Sequence, residues 1–386
     1  MPPQPSPYTP GALAHDLPGR DPQMLSILER LAFLAYKRSL VGRIRVFMGP
    51  RGVGKTSLLR LAQREAERQR FATVWVTTGD ERPLAAALAD EFERLSRDWQ
   101  STVGAALKAA LKTLKISVAG VSLGVGATEA QDAPIGTGRA LQDAIESTVQ
   151  GVLADDASGL IIFIDEVQSA DAIGLKALAY AWQHLQAQPD GIPAIVISAG
   201  LSHSQDVIAK AVSFGERFEY LPITNLDPGA ARHALAAPAR DAGVDWAPDT
   251  LEAVLAQTQG YPYFIQEFGD KMWTAADYPA PGATLTLDHY RGALAAFEQS
   301  RDQMFRSRWV QATPAEAKML EAMAAVGDIA VQRKDIAARM DVGTTAISMV
   351  RRSLLDKGLI EPSGHGKLRF TAPGFGEFIR EYTDLD

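Results

Sequence analysis

The feature that most constrains this chain is a glycine-rich loop between an apolar run and a helical pattern. Residues 49–56 read Gly-Pro-Arg-Gly-Val-Gly-Lys-Thr, after a strand predicted over Ile44–Met48 and before a helix predicted over residues 57–70. The pattern G-x-x-x-x-G-K-S/T in this setting is typical of a phosphate-binding loop, because its glycines let backbone N–H groups face phosphate oxygens. The sequence therefore predicts a nucleoside triphosphate site carried by a strand, a loop and a helix.

Roles within this loop follow from the chemistry of its side chains. Lys55 is expected to reach the β and γ phosphates, and the Thr56 hydroxyl is expected to bind Mg²⁺. The predicted ligands are thus ATP and Mg²⁺. The residues predicted to contact the nucleotide are Gly49, Pro50, Arg51, Gly52, Val53, Gly54, Lys55, Thr56 and Ser57.

A second apolar run supplies the acids that a triphosphatase needs. Residues 161–164 are apolar and are followed by Asp165 and Glu166. Two adjacent carboxylates repel each other and are costly in a core, so they indicate a functional strand end. Asp165 is predicted to hold the metal through its water shell and Glu166 to polarise the attacking water, which makes the chain an ATPase. Taken alone, this segment also fits an exposed acid pair.

Strands alternate with helical segments over the first half of the chain. Further strands are predicted over residues 72–78, 160–164, 194–198 and 219–223. This alternation is typical of an α/β domain whose parallel sheet binds ligands at the carboxyl ends of its strands. The predicted fold class is a parallel-sheet α/β P-loop core with a helical lid and a C-terminal winged-helix domain.

The predicted domains follow changes in this pattern. We expect a disordered leader at residues 1–15, an ATPase core at 16–226, a helical lid at 227–310 and a winged helix-turn-helix at 311–386. The leader has five prolines within residues 1–11 and no signal segment, and no apolar stretch is long enough to span a membrane. A cytoplasmic location without a membrane partner is therefore predicted.

Composition restricts the remaining kinds of site. The chain has 386 residues, no cysteine and a net charge of −7. Without cysteine, disulfides, thiolate metal sites and cysteine nucleophiles are excluded. Because the overall charge is acidic, contact with nucleic acid requires a local basic patch.

Residues 99–138 interrupt the alternation of strands and helices. An amphipathic helix leads into residues 116–125, whose apolar side chains alternate along the chain and break at Ala119-Gly120. A period of two with a central break predicts a β-hairpin. Packing on its own domain and contact with a partner or a second subunit are both open for this insertion.

The order of motifs resembles that of AAA+ ATPases, in the branch that contains archaeal ATPases and origin-recognition proteins. The resemblance runs from about Asp16 to the C-terminus; its motifs are residues 17–20, the phosphate loop, Asp165-Glu166, residues 195–198, Arg217-Phe218 and residues 260–264. It implies a nucleotide held between the α/β core and the lid. It also implies that Gly19 and Arg20 lie near the adenine and that Ser198 is the polar sensor at the end of the fourth strand, with Ser202 as a competing candidate.

Two further implications of the resemblance concern assembly and switching. Arg217 matches an arginine finger that reaches the γ phosphate of a neighbouring subunit, which implies a homo-oligomer; a surface arginine paired with Glu216 or Glu219 is the alternative. The lid helix that begins at Tyr261 lacks the arginine that many members carry as their second sensor, and Lys271 lies further along. This departure brings the chain nearer to relatives that use ATP as a slow conformational switch.

The C-terminal segment has the pattern of a winged helix. A helix is predicted over residues 332–340, a turn over 341–345, a recognition helix over 346–357 and a hairpin wing around 362–366. Such a unit reads DNA with its second helix and its wing. The residues predicted to contact DNA are Thr345, Ser348, Arg351, Arg352, Lys367 and Arg369.

The sequence thus predicts a Mg²⁺-dependent ATPase that acts as a nucleotide-driven switch, forms oligomers and contacts DNA. Winged helices also bind proteins, and over residues 313–386 acids slightly outnumber bases. The alternative is therefore a STAND-like signalling or scaffold ATPase whose winged helix and insertion bind protein partners.

Overall fold

The computed structural model describes residues 4–13, 16–39, 42–79, 82–97, 99, 102–122, 133–188, 191–212 and 215–384. The chain forms two compact units. The first unit comprises Pro22–Met48 and Leu58–Pro222, and the second comprises Met1–Asp21, Gly49–Ser57 and Ile223–Asp386. This division assigns the phosphate loop to the same unit as the C-terminal half of the chain. The predicted domain boundaries at residues 226 and 310 stay predictions.

Helices alternate with strands from the first helix to the last strand of the central sheet. In chain order these elements are α1 (Asp21–Lys37), β1 (Ile44–Met48), α2 (Lys55–Arg68), β2 (Ala72–Thr77), α3 (Leu84–Leu95), α4 (Thr102–Ser122), α5 (Ala133–Ala154), β3 (Leu160–Asp165), α6 (Ala172–Gln186), β4 (Ala194–Gly200), α7 (Ser204–Ala211) and β5 (Phe218–Pro222).

The sheet of the first unit has five parallel strands in the order β2-β3-β4-β1-β5. Every residue of β3 and β4 is buried. Such continuous apolar strands are expected where helices cover both faces of a parallel sheet. The α/β fold class predicted from the sequence is confirmed. Because the strands are parallel, Met48 of β1, Asp165 of β3 and Gly200 of β4 end at the same edge of the sheet.

The β-hairpin predicted over residues 116–125 is wrong as far as Ser122, and residues 123–125 lie outside the described part of the chain. Residues up to Ser122 continue helix α4. The reason is the spacing of Leu107, Leu111 and Leu114, which are buried on one face of this helix, while Ile116 is exposed. That helical stripe outweighs the strand preference of the β-branched residues that follow. Helices α4 and α5 pack against the core of their own unit.

The second unit is mainly helical. After β5 the chain continues through α8 (Pro228–Asp241), β6 (Asp245–Trp246), α9 (Pro248–Thr258), α10 (Pro262–Ala275), β7 (Thr284–Leu285) and α11 (Leu287–Val310). Its C-terminal segment contains α12 (Pro314–Val326), β8 (Val331–Gln332), α13 (Arg333–Arg339), α14 (Ser348–Asp356), β9 (Ile360–Pro362), β10 (Lys367–Phe370) and α15 (Phe375–Tyr382).

The C-terminal segment has the helices and the hairpin expected of a winged helix. Strands β9 and β10 pair antiparallel, and β8 adds to the other side of β10. Helix α14 begins at Ser348, two residues later than predicted, because residues 344–347 form a turn. Among the described residues no helix is long and apolar enough to cross a membrane.

The leader predicted to be disordered is ordered over residues 4–13. The ring of Tyr8 is buried, its hydroxyl donates to the carbonyl of Leu235 at 2.5 Å, and it accepts a hydrogen bond from Trp246 Nε1 at 3.2 Å. Gly269 makes the space for this ring, since a Cβ there would lie 2.5 Å from it. The leader is thus anchored by one aromatic side chain, despite a composition typical of disorder.

Candidate functional site

The phosphate loop lies between β1 and the first turn of α2, which begins at Lys55. Lys55 is buried, and its Nζ donates to the carbonyls of Gly49 at 3.0 Å and Pro50 at 2.7 Å. Gly52 and Gly54 have φ of 79° and 89°, a left-handed conformation that glycine adopts without steric cost. Together with the N–H groups and the positive dipole end at the start of a helix, this geometry suits an anion such as a phosphate.

Two glycines of the loop are required by close contacts. A Cβ at Gly49 would lie 2.1 Å from the carbonyl oxygen of Ile223, and a Cβ at Gly52 would lie 2.3 Å from the hydroxyl of Tyr261. Such distances are impossible for real side chains, so neither position accepts another residue without movement of the backbone or the tyrosine. The glycine pattern of the motif is therefore explained partly by packing within this unit.

Arg20 connects the phosphate loop to the segment after β5. Its side chain is buried, and Nη2 donates to the carbonyls of Val53 at 3.1 Å and Thr224 at 2.6 Å. Burial lowers the pKa of Arg20, while the charge of Asp227 acts in the opposite direction. Gly19 has a φ of 72° and lies against Ala230. These contacts hold the loop, and a role of Gly19 and Arg20 beside the adenine stays a prediction.

Tyr261 and Arg308 are residues near the loop whose roles the sequence did not reveal. Tyr261 is fully buried, and its hydroxyl donates to the carbonyl of Arg51 at 2.7 Å. Arg308 on α11 has Nη2 at 3.5 Å from that hydroxyl, while its Nη1 is buried without a hydrogen-bond partner among the described residues. Helix α10 carries no arginine, and the guanidinium beside this hydroxyl comes from α11. A buried tyrosine needs a hydrogen-bond partner for its hydroxyl, but the amino-acid sequence does not identify that partner.

The acidic residues lie in the first unit, at the carboxyl end of β3. Asp165 is buried, and its Oδ1 accepts a hydrogen bond from the backbone N–H of Glu166 at 3.0 Å. Glu166 has a left-handed backbone with φ 56° and ψ 36°. The hydroxyl of Thr78, just after β2, donates to the carbonyl of Glu166 at 2.5 Å. The chain therefore turns sharply at Glu166, directly after the end of β3.

Ser198 does not end the fourth strand as expected. Strand β4 continues to Gly200, and Ser198 is fully buried with its hydroxyl donating to the carbonyl of Arg45 at 2.8 Å. A serine inside a parallel sheet satisfies its hydroxyl on the neighbouring strand, which is what this residue does. The placement of Ser198 at the strand end is therefore wrong. Ser202, the competing candidate, follows the strand at the edge where Asp165 lies.

Arg217 lies at the opposite edge of the sheet. It is the last residue of the short 3-10 helix Gly215–Arg217 and directly precedes β5, so it lies at the amino ends of the strands. Its Nε is buried without a hydrogen-bond partner among the described residues. The carboxylate of Glu219 binds Arg30 at 2.8 Å and Arg45 at 2.9 Å. The alternative considered for Arg217 was pairing with Glu216 or Glu219. Among the side chains that the structure describes, Glu219 pairs with Arg30 and Arg45 and not with Arg217.

The predicted DNA contacts are divided between exposed and paired side chains. Thr345, Ser348 and Lys367 are exposed, and Arg351 is half-buried on α14. Arg352 forms an ion pair with Asp356 at 3.0 Å.

Arg369 is paired as well, because its guanidinium binds the buried carboxylate of Glu361 at 2.7 Å. Arg369 also lines a cavity of about 610 Å³ together with Pro50 of the phosphate loop and Gln259. Within the second unit, strand β10 and the phosphate loop therefore line the same cavity.

Comparison with known proteins agrees with this geometry. Residues 16–197 match the AAA ATPase domain family, and residues 302–379 match a domain of unknown function (DUF8462). No curated protein matches the chain.

Solved structures similar to the chain include three archaeal proteins. A Walker-type ATPase of Pyrococcus abyssi is 15% identical, with 96% of this chain and 98% of that one covered and a TM-score of 0.60. The ORC2 protein of Aeropyrum pernix, solved as ADPNP–ADP complexes, is 15% identical, with 98% and 96% covered and a TM-score of 0.55. Cdc6p of Pyrobaculum aerophilum is 11% identical, with 97% and 98% covered and a TM-score of 0.50. The predicted resemblance to origin-recognition-like AAA+ ATPases is confirmed at the level of the fold.

Proposed function

We propose that this chain binds ATP with Mg²⁺ at the phosphate loop and hydrolyses it as a nucleotide-driven switch. The observation that carries the proposal is the loop itself: left-handed Gly52 and Gly54, a Lys55 folded onto the loop carbonyls, and the start of α2 directly after them. The loop follows β1, and β3 delivers Asp165 and Glu166 at the same edge of the sheet.

The roles proposed for the side chains follow from their chemistry. Backbone N–H groups of the loop and Lys55 bind phosphate oxygens. Thr56 and Asp165 would hold Mg²⁺, an ion that uses one or two protein ligands and keeps several waters. When bound, Mg²⁺ neutralises charge on the phosphates. Glu166 takes a proton from the attacking water, whose oxygen bonds to the γ phosphorus as the bond to ADP breaks.

Replacement of Glu166 by glutamine tests the hydrolytic part of the proposal. Glu166→Gln keeps the size of the side chain but removes its basicity, so ATP should bind with wild-type affinity while phosphate release slows at least about a hundredfold. A change of the exposed Lys210 to alanine is the control and should leave both unchanged. Equal turnover by Glu166→Gln and the wild type would assign the proton to another group.

The position of Arg217 supports hydrolysis between subunits. The five residues of β5 separate it from the carboxyl edge of the sheet, a span of about 16 Å. Within one chain Arg217 therefore lies far from a nucleotide held at that edge, and a finger role requires a second copy. We propose a homo-oligomer whose neighbouring subunit contributes Arg217.

For the C-terminal segment, contact with DNA and contact with a protein are the two alternatives. Exposed Thr345, Ser348 and Lys367 support DNA contact, whereas the pairing of Arg352 and Arg369 with acids supports a protein partner. Duplex binding at low salt that weakens in Arg351→Ala and falls steeply with salt would support the DNA alternative. No duplex binding by the ATP-bound wild type at low salt would exclude it.

A further inference from the structure

A side-chain amide connects Glu166 to the end of a neighbouring strand. Gln168 lies in the short 3-10 helix Val167–Ser169 that follows Glu166. Its Nε2 donates to Glu166 Oε2 at 2.5 Å, and its Oε1 accepts a hydrogen bond from the backbone N–H of Leu201 at 2.9 Å. Leu201 is the first residue after β4. One amide therefore joins the carboxylate after β3 to the backbone after β4.

The position of the Gln168 amide requires a glycine at residue 200. A Cβ at Gly200 would lie 2.3 Å from Ser204 Oγ, 2.6 Å from Gln168 Oε1 and 2.9 Å from Val167 Cγ1. The φ of Gly200 is not left-handed, so space rather than backbone conformation is what glycine provides here. The last residue of β4 thus leaves room for the amide of Gln168.

The backbone contacts of Glu166 do not by themselves fix the position of its carboxylate. The left-handed turn and the hydroxyl of Thr78 fix the main chain of Glu166, and the hydrogen bond from Thr78 goes to its carbonyl and not to its carboxylate. A glutamate side chain has three rotatable bonds, and fixing it costs conformational entropy that a hydrogen bond can offset. Gln168 provides a hydrogen bond to one carboxylate oxygen from a donor that is itself anchored.

We propose that Gln168 is a positioning residue that holds the Glu166 carboxylate and couples it to the segment after β4. This inference rests on the proposed function, in which Glu166 accepts the proton of the attacking water. The amide fixes Oε2, which leaves the other carboxylate oxygen for the water. Movement of the segment after β4 changes the position of Leu201 and is passed to Glu166 through the amide.

Gln168→Leu tests this role because it removes the hydrogen bonds to Glu166 and Leu201, along with a longer one to the Ser169 hydroxyl at 3.3 Å, at nearly constant size. We expect kcat to fall about tenfold while KM and ATP affinity stay within about twofold, since one misplaced carboxylate affects the transition state and not substrate binding. Gln188→Leu is the matched control. It also removes a hydrogen bond from a glutamine Nε2 to a glutamate, Glu146, at 2.6 Å, and it should leave kcat unchanged.

A second measurement tests the contact between Gln168 and Glu166 without relying on ATP hydrolysis. In a double-mutant cycle of Gln168→Leu and Glu166→Ala, measured by denaturant unfolding without nucleotide, we expect a coupling of about tenfold in the unfolding equilibrium constant. Coupling without any wild-type turnover would overturn the proposed hydrolysis but support the contact. Absence of coupling, or a wild-type kcat in Gln168→Leu, would overturn the role of Gln168.

Discussion

At the scale of single residues, the hydroxyl of Tyr261 makes a direct contact with the phosphate loop. It donates to the carbonyl of Arg51 and occupies the space that Gly52 leaves open. The loop motif was predictable because its chemistry is encoded in one continuous stretch. The tyrosine was not, because it lies 210 residues further along the chain and only folding brings its hydroxyl to Arg51.

Removal of this hydroxyl should weaken the loop. Tyr261→Phe leaves the carbonyl of Arg51 without its partner, so we expect the free energy of unfolding to fall by about 1 to 1.5 kcal/mol and ATP affinity to fall about fivefold. Tyr220→Phe is the control, because the Tyr220 hydroxyl is buried without a hydrogen-bond partner among the described residues, and its loss should cost little. Denaturant unfolding and ATP titration of both variants measure the difference. Equal effects of the two changes would contradict the assigned contact.

At the scale of elements, the central strands were predictable and two other segments were not. Strands β1, β3 and β4 are buried and mostly apolar, so their positions could be predicted within two residues. The prediction of a β-hairpin at the end of α4 was wrong because β-branched residues there follow the leucine stripe of the helix. The prediction of a disordered leader was wrong because Tyr8 packs into the space left by Gly269. No local sequence pattern reveals a partner so distant along the chain.

The first turn of α12 gives a prediction about pH. Burial acts to raise the pKa of Glu316, but hydrogen bonds from Lys357, Ser353 and Thr313 outweigh it and lower the pKa from 4.5 to about 2. A carboxyl whose pKa is lowered in the folded state contributes stability that is fully present above pH 4.5 and is lost as the pH falls toward 2.

Glu316→Gln should therefore reduce the free energy of unfolding at pH 7 by about 3 kcal/mol, with a difference that shrinks between pH 4.5 and 3. Urea unfolding across this range measures it. The exposed Glu381→Gln serves as the control and should show little change. A difference that stays constant as the pH falls would contradict the proposed ionised state of Glu316.

At the scale of the whole molecule, sheet topology separates the residues proposed for hydrolysis. Asp165 lies at the carboxyl edge and Arg217 at the amino edge of one sheet. The resemblance could assign both residues, but only the parallel order of the strands shows that they belong to opposite edges. That separation is what makes assembly a necessary part of a finger role for Arg217.

Mixing two inactive variants tests this assembly. Arg217→Ala removes the finger but keeps the phosphate loop intact, whereas Lys55→Ala impairs the loop but keeps the finger. Each variant alone should therefore lose activity by about a thousandfold. In a head-to-tail assembly, an equal mixture forms an intact loop facing an intact finger at about a quarter of its interfaces, and phosphate release should recover accordingly. Arg43→Ala, at a position lining the same cavity as Arg217, is the control and should stay active. Full activity of Arg217→Ala alone, or an equal mixture that stays as inactive as its two components, would contradict the finger.

The central claim, that residues 49–56 form the nucleotide site, is tested most directly by titrating ATP into the nucleotide-free chain with Mg²⁺ in a calorimeter. The wild type should bind one ATP per chain, and Lys55→Ala should bind at least about tenfold more weakly, because a buried cation on the phosphates is lost. Denaturant unfolding confirms that the variant is folded. Equal ATP affinity of the folded Lys55→Ala variant and the wild type would contradict the account.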